Sequence, residues 1–398
     1  MAFSNIRAGS IILAEPYRFV PPYRGTFWTT ALWPLYPGTL SRRFGVIETK
    51  VHGAQHVRRS IARGQGILLG ANHSRHSDPF VFGWLNKEIG QPVHVMATWH
   101  LFKQGRILAA LLRRIGGFSV YREGPDRMAF KTAIKILVEA RRPLVIFPEG
   151  LCSHANDFLR PFMDGTAAIA RGAARRRAAG VALHPVVIRY SFCGNAEAVV
   201  APVIAELEVR VGLAPGSKLS LVERIFKVGA EVVARSEEKY LGARQAGDNS
   251  ERRTRLVEHI LRPLETEWLW RAYEGEAFTR MKQLRARILP GLITKKLSES
   301  ETARRWKQLD EIDDAERLYR QPPNHLRTCD TPEQLIETVE RIEEALTGRA
   351  QVFRPWRVVI EVGEAIEVNG VAWNGTSSDP LMIQLRSRME ALLQPEVK

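Results

Sequence analysis

The chain has 398 residues, 45% of them apolar and 25% charged. Such a chain buries a sizeable core, which excludes an intrinsically disordered protein, and Cys152, Cys193 and Cys329 are too few and too scattered for a disulfide scaffold or a CxxC zinc site. The net charge of +15 is uneven, with 21 Lys/Arg against 8 Asp/Glu in residues 1–150 and 37 against 35 in the rest, so the N-terminal part is expected to meet an anionic partner.

No stretch approaches the roughly 18 apolar residues of a membrane span. The N-terminal MAFSNIRAGSIILAEPYR lacks a convincing signal peptide, so the protein is expected on the cytoplasmic face of a membrane, bound peripherally. Residues 17–44 concentrate Tyr17, Phe19, Tyr23, Phe27, Trp28, Trp33, Tyr36 and Phe44 among Arg18, Arg24, Arg42 and Arg43. Rings interleaved with cations suit a bilayer interface, and 1–44 is expected to be a membrane-surface segment.

From residue 45 the pattern alternates. Strands are predicted at Gly45–Gly53, Gly66–Ala71, Val93–Ala97, Phe118–Tyr121, Leu144–Phe147 and Val181–Tyr190. Helices are predicted at Pro79–Lys87, Leu101–Arg114, Asp126–Ala140 and Gly165–Arg177, with Met128, Ile134, Leu137 and Val138 on one side of the third. Strands alternating with helices imply an α/β sandwich around a largely parallel sheet.

The rhythm then becomes helical over 217–347. Thr331, Pro332 and Glu333 open a helix striped by Leu335, Val339, Ile342 and Leu346. Strand character returns at Trp356–Val362, followed by GEAIEV and a short helix. The expected organisation is a surface segment at 1–44, an α/β domain over 45–215 closed by 351–398, and an all-helical insertion at 216–350. The insertion's apolar positions Leu256, Ile260, Leu264, Trp268, Trp270 and Tyr273 are expected to cap a groove, touch the bilayer or pack on other helices.

The sharpest chemical signal is Asn72-His73-Ser74-Arg75-His76-Ser77-Asp78-Pro79, directly after the buried strand 66–71. Open α/β sheets place their sites at such strand ends. A turn between His73 and Asp78 brings imidazole and carboxylate into hydrogen-bond reach. The carboxylate then fixes the tautomer and leaves the other ring nitrogen as a base. His73 and His76 alone, at i,i+3 without a further Cys/His cluster, do not make a metal site, and no metal or cofactor is expected. Phe147-Pro148-Glu149-Gly150 places a carboxylate at a second strand end. Gly116-Gly117-Phe118-Ser119-Val120-Tyr121-Arg122 carries an Arg, the residue suited to phosphate, at a third.

In this order and spacing, NHSRHSD, GGFSVYR, FPEG and LHPVVIRY (183–190) resemble the motifs of the lysophospholipid acyltransferase family, the PlsC-like glycerolipid acyltransferases that include 1-acylglycerol-3-phosphate acyltransferases. The resemblance covers about 45–200 and resumes at 355–393; the helical insertion has no counterpart in short members. It implies transfer of a fatty acyl group from acyl-CoA or acyl carrier protein to the hydroxyl of a lysolipid in phospholipid synthesis. His73 would be the general base and Asp78 its orienting partner. Arg122 would hold an anionic headgroup, and Phe147, Pro148, Glu149 and Gly150 would shape the acceptor pocket.

Two departures stand out. Leu151-Cys152 follow FPEG where Thr-Arg is usual, and Met163 replaces the Lys of a later P-F-K-x-G segment. Two cations that face an acceptor phosphate are therefore missing, which points to a non-phosphatidate acceptor. Cys152 lacks an evident local partner for a nucleophile's role. From another class, a basic-arm nucleic-acid-binding protein would also explain the charge, but no binding motif is present and nucleic acid is not expected as a partner.

Overall fold

The computed structural model describes residues 14–216, 218–270, 275–294, 296–320, 329–375 and 378–394. The first 13 residues and Tyr273 lie outside them. In chain order the elements are α1 (Phe27–Ala31), α2 (Tyr36–Phe44), β1 (Val46–His52), α3 (Ala54–Ala62), β2 (Gly66–Ala71) and α4 (Asp78–Ile89). Next come β3 (His94–Thr98), α5 (Arg106–Arg114), β4 (Gly117–Val120), α6 (Arg127–Glu139), β5 (Leu144–Ile146), α7 (Gly165–Ala174) and β6 (Val181–Phe192). A helical run follows: α8 (Ala196–Arg210), α9 (Leu221–Leu241), α10 (Asn249–Leu269), α11 (Ala277–Thr294), α12 (Glu299–Arg320) and α13 (Pro332–Thr347). It gives way to β7 (Trp356–Val362), β8 (Ile366–Val368) and α14 (Pro380–Leu393).

Two compact units result. One comprises Arg18–Tyr121, Asp126–Cys193 and Arg354–Lys398, the other chiefly Gly194–Phe353 together with Arg122–Pro125. The helical unit thus begins at Gly194, upstream of the expected 216.

The first unit is an eight-stranded, mostly parallel sheet in the order β1-β7-β6-β2-β5-β3-β4, with β8 also on β6. The five strands from β6 to β4 are mutually parallel; β7 runs antiparallel to β6, and β1 follows β7. All of β2 is buried, as expected of a central strand covered on both faces. Leu68 joins Leu144, Leu183 and Val187 in a core with Ile134 and Leu137 of α6, Ile169 of α7 and Leu385 of α14. Helices α3 and α4 pack on β1, β2 and β7. The α6 stripe differs at one end from expectation: Met128 is 54% exposed, and Ala129 and Ala133 take the inward positions. The helix expected over Leu101–Arg114 is interrupted at Gly105, whose φ of 142° breaks it into a 3-10 turn and α5.

The rings of 17–44 largely meet protein. Trp33 and Tyr36 contact Trp84 of α4, Phe44 stacks on Phe80, and the Tyr36 hydroxyl donates to the Phe80 carbonyl. Gly83 makes this possible, because a Cβ there would strike the Tyr36 ring. Phe27 and Leu35 stay outside, 64% and 67% exposed. Buried Arg142 fixes the segment further, donating to the carbonyls of Tyr23, Gly25, Pro92, Val93 and Ile115. Among the described residues no helix is long and apolar enough to cross a membrane.

In the helical unit Thr331 caps α13 by accepting from the Gln334 amide, as its sequence requires. Leu256, Ile260 and Leu264 are interior residues of the unit, whereas Trp270 is 84% exposed. Trp268 donates its Nε1–H to Gln308 and lies under Arg304 and Arg305. Buried Arg–Glu pairs recur between helices. Arg252 grips Glu237 through Nε at 2.9 Å and a terminal nitrogen at 2.6 Å, and Arg280 grips Glu265 likewise at 2.6 and 3.1 Å.

Candidate active site

Strand β2 stops at Ala71, and the next side chain prolongs its pairing. Asn72 donates to the Ile188 carbonyl at 3.0 Å and accepts from the Ile188 amide at 2.7 Å. The amide group thereby anchors the following turn to β6 and delivers His73 at the carboxyl end of the central strand. The turn closes tightly: the Asp78 amide donates to the Arg75 carbonyl, and the Arg75 amide donates to Asp78 Oδ2 at 2.9 Å. Pro79 then sits in the first turn of α4, where its missing N–H costs no hydrogen bond.

His73 Nδ1 lies 2.9 Å from Asp78 Oδ2. Asp78 is fully buried, and its Oδ1 accepts from the Tyr190 hydroxyl of β6 at 2.6 Å. Tyr190 also meets the Ser77 hydroxyl at 2.8 Å. Burial and the adjacent Asp78 charge push the Tyr190 phenol well above its ordinary range, so it stays a donor. With three donors on one carboxylate, the hydrogen on the His73 ring belongs on Nδ1, leaving Nε2 with its lone pair. The ring is further held by stacking on Phe147, centroids 4.3 Å apart and planes 23° apart.

The second motif braces the first from behind. Glu149 is 1% exposed. Its Oε1 accepts from the His73 amide at 2.9 Å and its Oε2 from the Arg160 amide at 3.0 Å. Burial pushes its carboxyl up to about 7, against the lowering effect of those two amides. The His73 carbonyl in turn accepts from the Ser153 amide at 2.7 Å. Pro148 offers its carbonyl to the Met163 amide, and Gly150, at φ 70°, closes the turn on the Phe147 carbonyl. A positive φ of this kind is why glycine stands there.

The fold therefore gathers His73, Asp78, Phe147, Pro148, Glu149 and Gly150 at one sheet edge, with Glu149 as a backbone brace. Arg122 is placed differently from the strand-end expectation. Strand β4 ends at Val120, and Arg122 belongs to the helical unit. There it lies 3.7 Å from the Glu316 carboxylate and over the Phe278 ring. Asn72, Ser77, Ser153 and Tyr190 are the residues sequence reasoning passed over. Tyr190 closes the quoted LHPVVIRY block, but only pairing of β6 beside β2 brings it to Asp78.

A histidine whose tautomer is set by a buried carboxylate, at the open end of a parallel sheet, is equipped to take a proton from a hydroxyl. The chain matches no curated protein. Residues 48–189, which span β1 through most of β6, match the family model Acyltransferase. This chain therefore carries an acyltransferase domain of the PlsC type, which supports a general acyltransferase activity.

Proposed function

We propose that the protein moves a fatty acyl group from acyl-CoA or acyl carrier protein to the hydroxyl of a lysophospholipid-type acceptor at a membrane surface. The observation that carries this reading is the 2.9 Å contact between His73 Nδ1 and buried Asp78. Nε2 removes the acceptor's proton as its oxygen attacks the thioester carbonyl. Asp78 keeps the ring oriented and balances the imidazolium charge. The thiolate of the carrier leaves as the new ester forms, and the proton held on His73 returns to it. Both substrates are present together, so no acyl-enzyme forms.

The preferred acceptor carries less charge than a phosphomonoester. Cys152 and Met163 replace two cations usual in the family, and Arg122 faces Glu316. A charge-assisted hydrogen bond contributes roughly 1.5–3 kcal/mol, so losing two costs a dianionic headgroup about 100-fold or more in preference. The partner membrane is anionic, met by the basic N-terminal part and exposed Phe27 and Leu35. Acyl transfer is tested with purified protein, matched acyl chains and a series of lysolipid headgroups. A zwitterionic lysolipid is expected to outcompete lysophosphatidic acid, and His73→Ala is expected to abolish turnover with the fold retained. Near-normal turnover of His73→Ala refutes the mechanism; a clear preference for lysophosphatidic acid refutes the acceptor.

A further inference from the structure

The turn bearing the catalytic pair also carries His76, and the segment after FPEG carries Cys152 and His154. Far apart in sequence, the three meet in space. One imidazole nitrogen from each histidine and the Cys152 sulfur all lie within 4.8 Å of one another. The two imidazoles touch edge to face, centroids 5.0 Å apart. Cys152 and His154 are 7% and 5% exposed, whereas His76 is exposed.

The backbone builds this cluster. Ser153, between the two buried members, donates both its amide and its hydroxyl to the His73 carbonyl. Cys152 and His154 are thus locked against the 72–78 turn from either side of one anchored residue. His154 adopts φ 51°, the left-handed region.

Two imidazoles and a thiol are a nitrogen–sulfur donor set. It suits Zn²⁺, and it disfavours Mg²⁺ and Ca²⁺, which take oxygen ligands. Bonds of about 2.0–2.3 Å place tetrahedral donors about 3.3–3.6 Å apart, and rotation of exposed His76 supplies the remaining closure. We propose that His76, Cys152 and His154 bind one Zn²⁺ ion, with water at the fourth position. Binding converts the Cys152 thiol to a thiolate and releases one proton. The ion ties the 72–78 turn to the segment after FPEG and takes no step in acyl transfer, so the site stands or falls independently of the proposed reaction.

The test uses the full chain, stripped with a chelator and titrated with Co²⁺ and then Zn²⁺. One Co²⁺ per chain is expected to give tetrahedral absorption bands and a thiolate-to-cobalt charge-transfer band, both displaced by Zn²⁺. Saturating Zn²⁺ is expected to raise the melting temperature, since an ion bound only by the folded state stabilises it. Cys152→Ser should remove the charge-transfer band and weaken Zn²⁺ binding by about 100-fold or more, beyond the roughly 10–100-fold cost of losing a ligand's outer partner. Cys193→Ser and Cys329→Ser should leave both unchanged. His76→Asn, at an exposed position that does not threaten folding, should weaken binding by at least about tenfold. A missing charge-transfer band in the unsubstituted protein, its persistence in Cys152→Ser, or unchanged affinity in His76→Asn overturns the site.

Discussion

Buried carboxylates in this molecule are held in two ways. In the helical unit Glu237, Glu265 and Glu316 are gripped by guanidinium groups, as Asp379 of the sheet unit is by Arg171. Burial works against the ionisation of Glu316, yet Arg285, Arg320 and Arg122 outweigh it and hold the carboxyl well below its usual range. Burial likewise opposes ionisation of Glu237, and Arg252 wins there too. In the sheet unit, Glu149 has only two backbone amides, and burial carries it up to about 7. A bidentate Arg–carboxylate pair fixes a charge and a geometry. A carboxyl satisfied by neutral donors keeps its geometry but leaves its charge open to pH. The Arg–carboxylate pairs join elements, Arg252–Glu237 between α10 and α9 and Arg171–Asp379 between α7 and the start of α14, whereas Glu149 braces the His73 turn.

The largest expected effect tests the turn. Asp78→Asn turns one of the two oxygens that accept from His73, Arg75 and Tyr190 into an NH2 donor, removes the charge and releases the ring tautomer. Turnover should fall by about 10²–10⁴-fold, the range of a general base's contribution, with the melting temperature altered far less. Kinetics beside calorimetry separate the two readouts; equal damage to both would make Asp78 a stability residue.

The helical counterpart is Arg252→Met, which strands fully buried Glu237. Removing one partner of a buried pair costs about 3–5 kcal/mol, whereas replacing both by apolar residues is often close to neutral. Denaturant midpoints should therefore fall more for Arg252→Met than for Arg252→Met with Glu237→Leu. A double variant less stable than the single would show that the pair is not what joins α9 to α10.

A smaller effect concerns Glu149 and pH. Its folded pKa, about 7, lies above that of an unfolded carboxyl, about 4.3. The stability it supports is present in full below the unfolded value and is lost as pH rises through 7. At about 1.4 kcal/mol per unit the loss is at most about 4 kcal/mol. Between pH 5 and 8 the unsubstituted protein should lose more stability than Glu149→Gln. Parallel pH profiles for the two would remove the contrast between the two ways of holding a carboxylate.

The smallest effect lies at the surface of the sheet unit. Phe27→Ser with Leu35→Ser exchanges two exposed apolar side chains without disturbing the rings packed on α4. Sedimentation with anionic vesicles should weaken by at least about tenfold, since burying even one such side chain is worth roughly 1.5–3 kcal/mol. Unchanged sedimentation would place the membrane contact elsewhere.

Period and short-range chemistry made much of the sheet unit legible. Unbroken apolar runs marked β2, β5 and most of β6, because a strand buried on both faces must be apolar throughout, and alternation marked half-buried β1 and β7. The His73–Asp78 pair was visible because both partners sit in one turn, five residues apart. Gly105 defeated the helix expected over Leu101–Arg114, since a single residue at positive φ outweighs the apolar periodicity on either side.

What the amino-acid order determined by itself is therefore local: element types, the α13 cap and the His73–Asp78 turn. Tertiary structure alone decided which distant groups those elements bring together. Tyr190 reaches Asp78 because β6 pairs beside β2, and Glu149 reaches the His73 amide because β5 pairs on its other side. Arg122 left the end of β4 for Glu316, a partner almost two hundred residues onward in the chain. The aromatic segment met α4 because Gly83 leaves room for Tyr36. Each outcome rests on a contact between residues far apart in sequence. Periodicity and spacing report only on neighbours along the chain, so they carry no signal for such contacts.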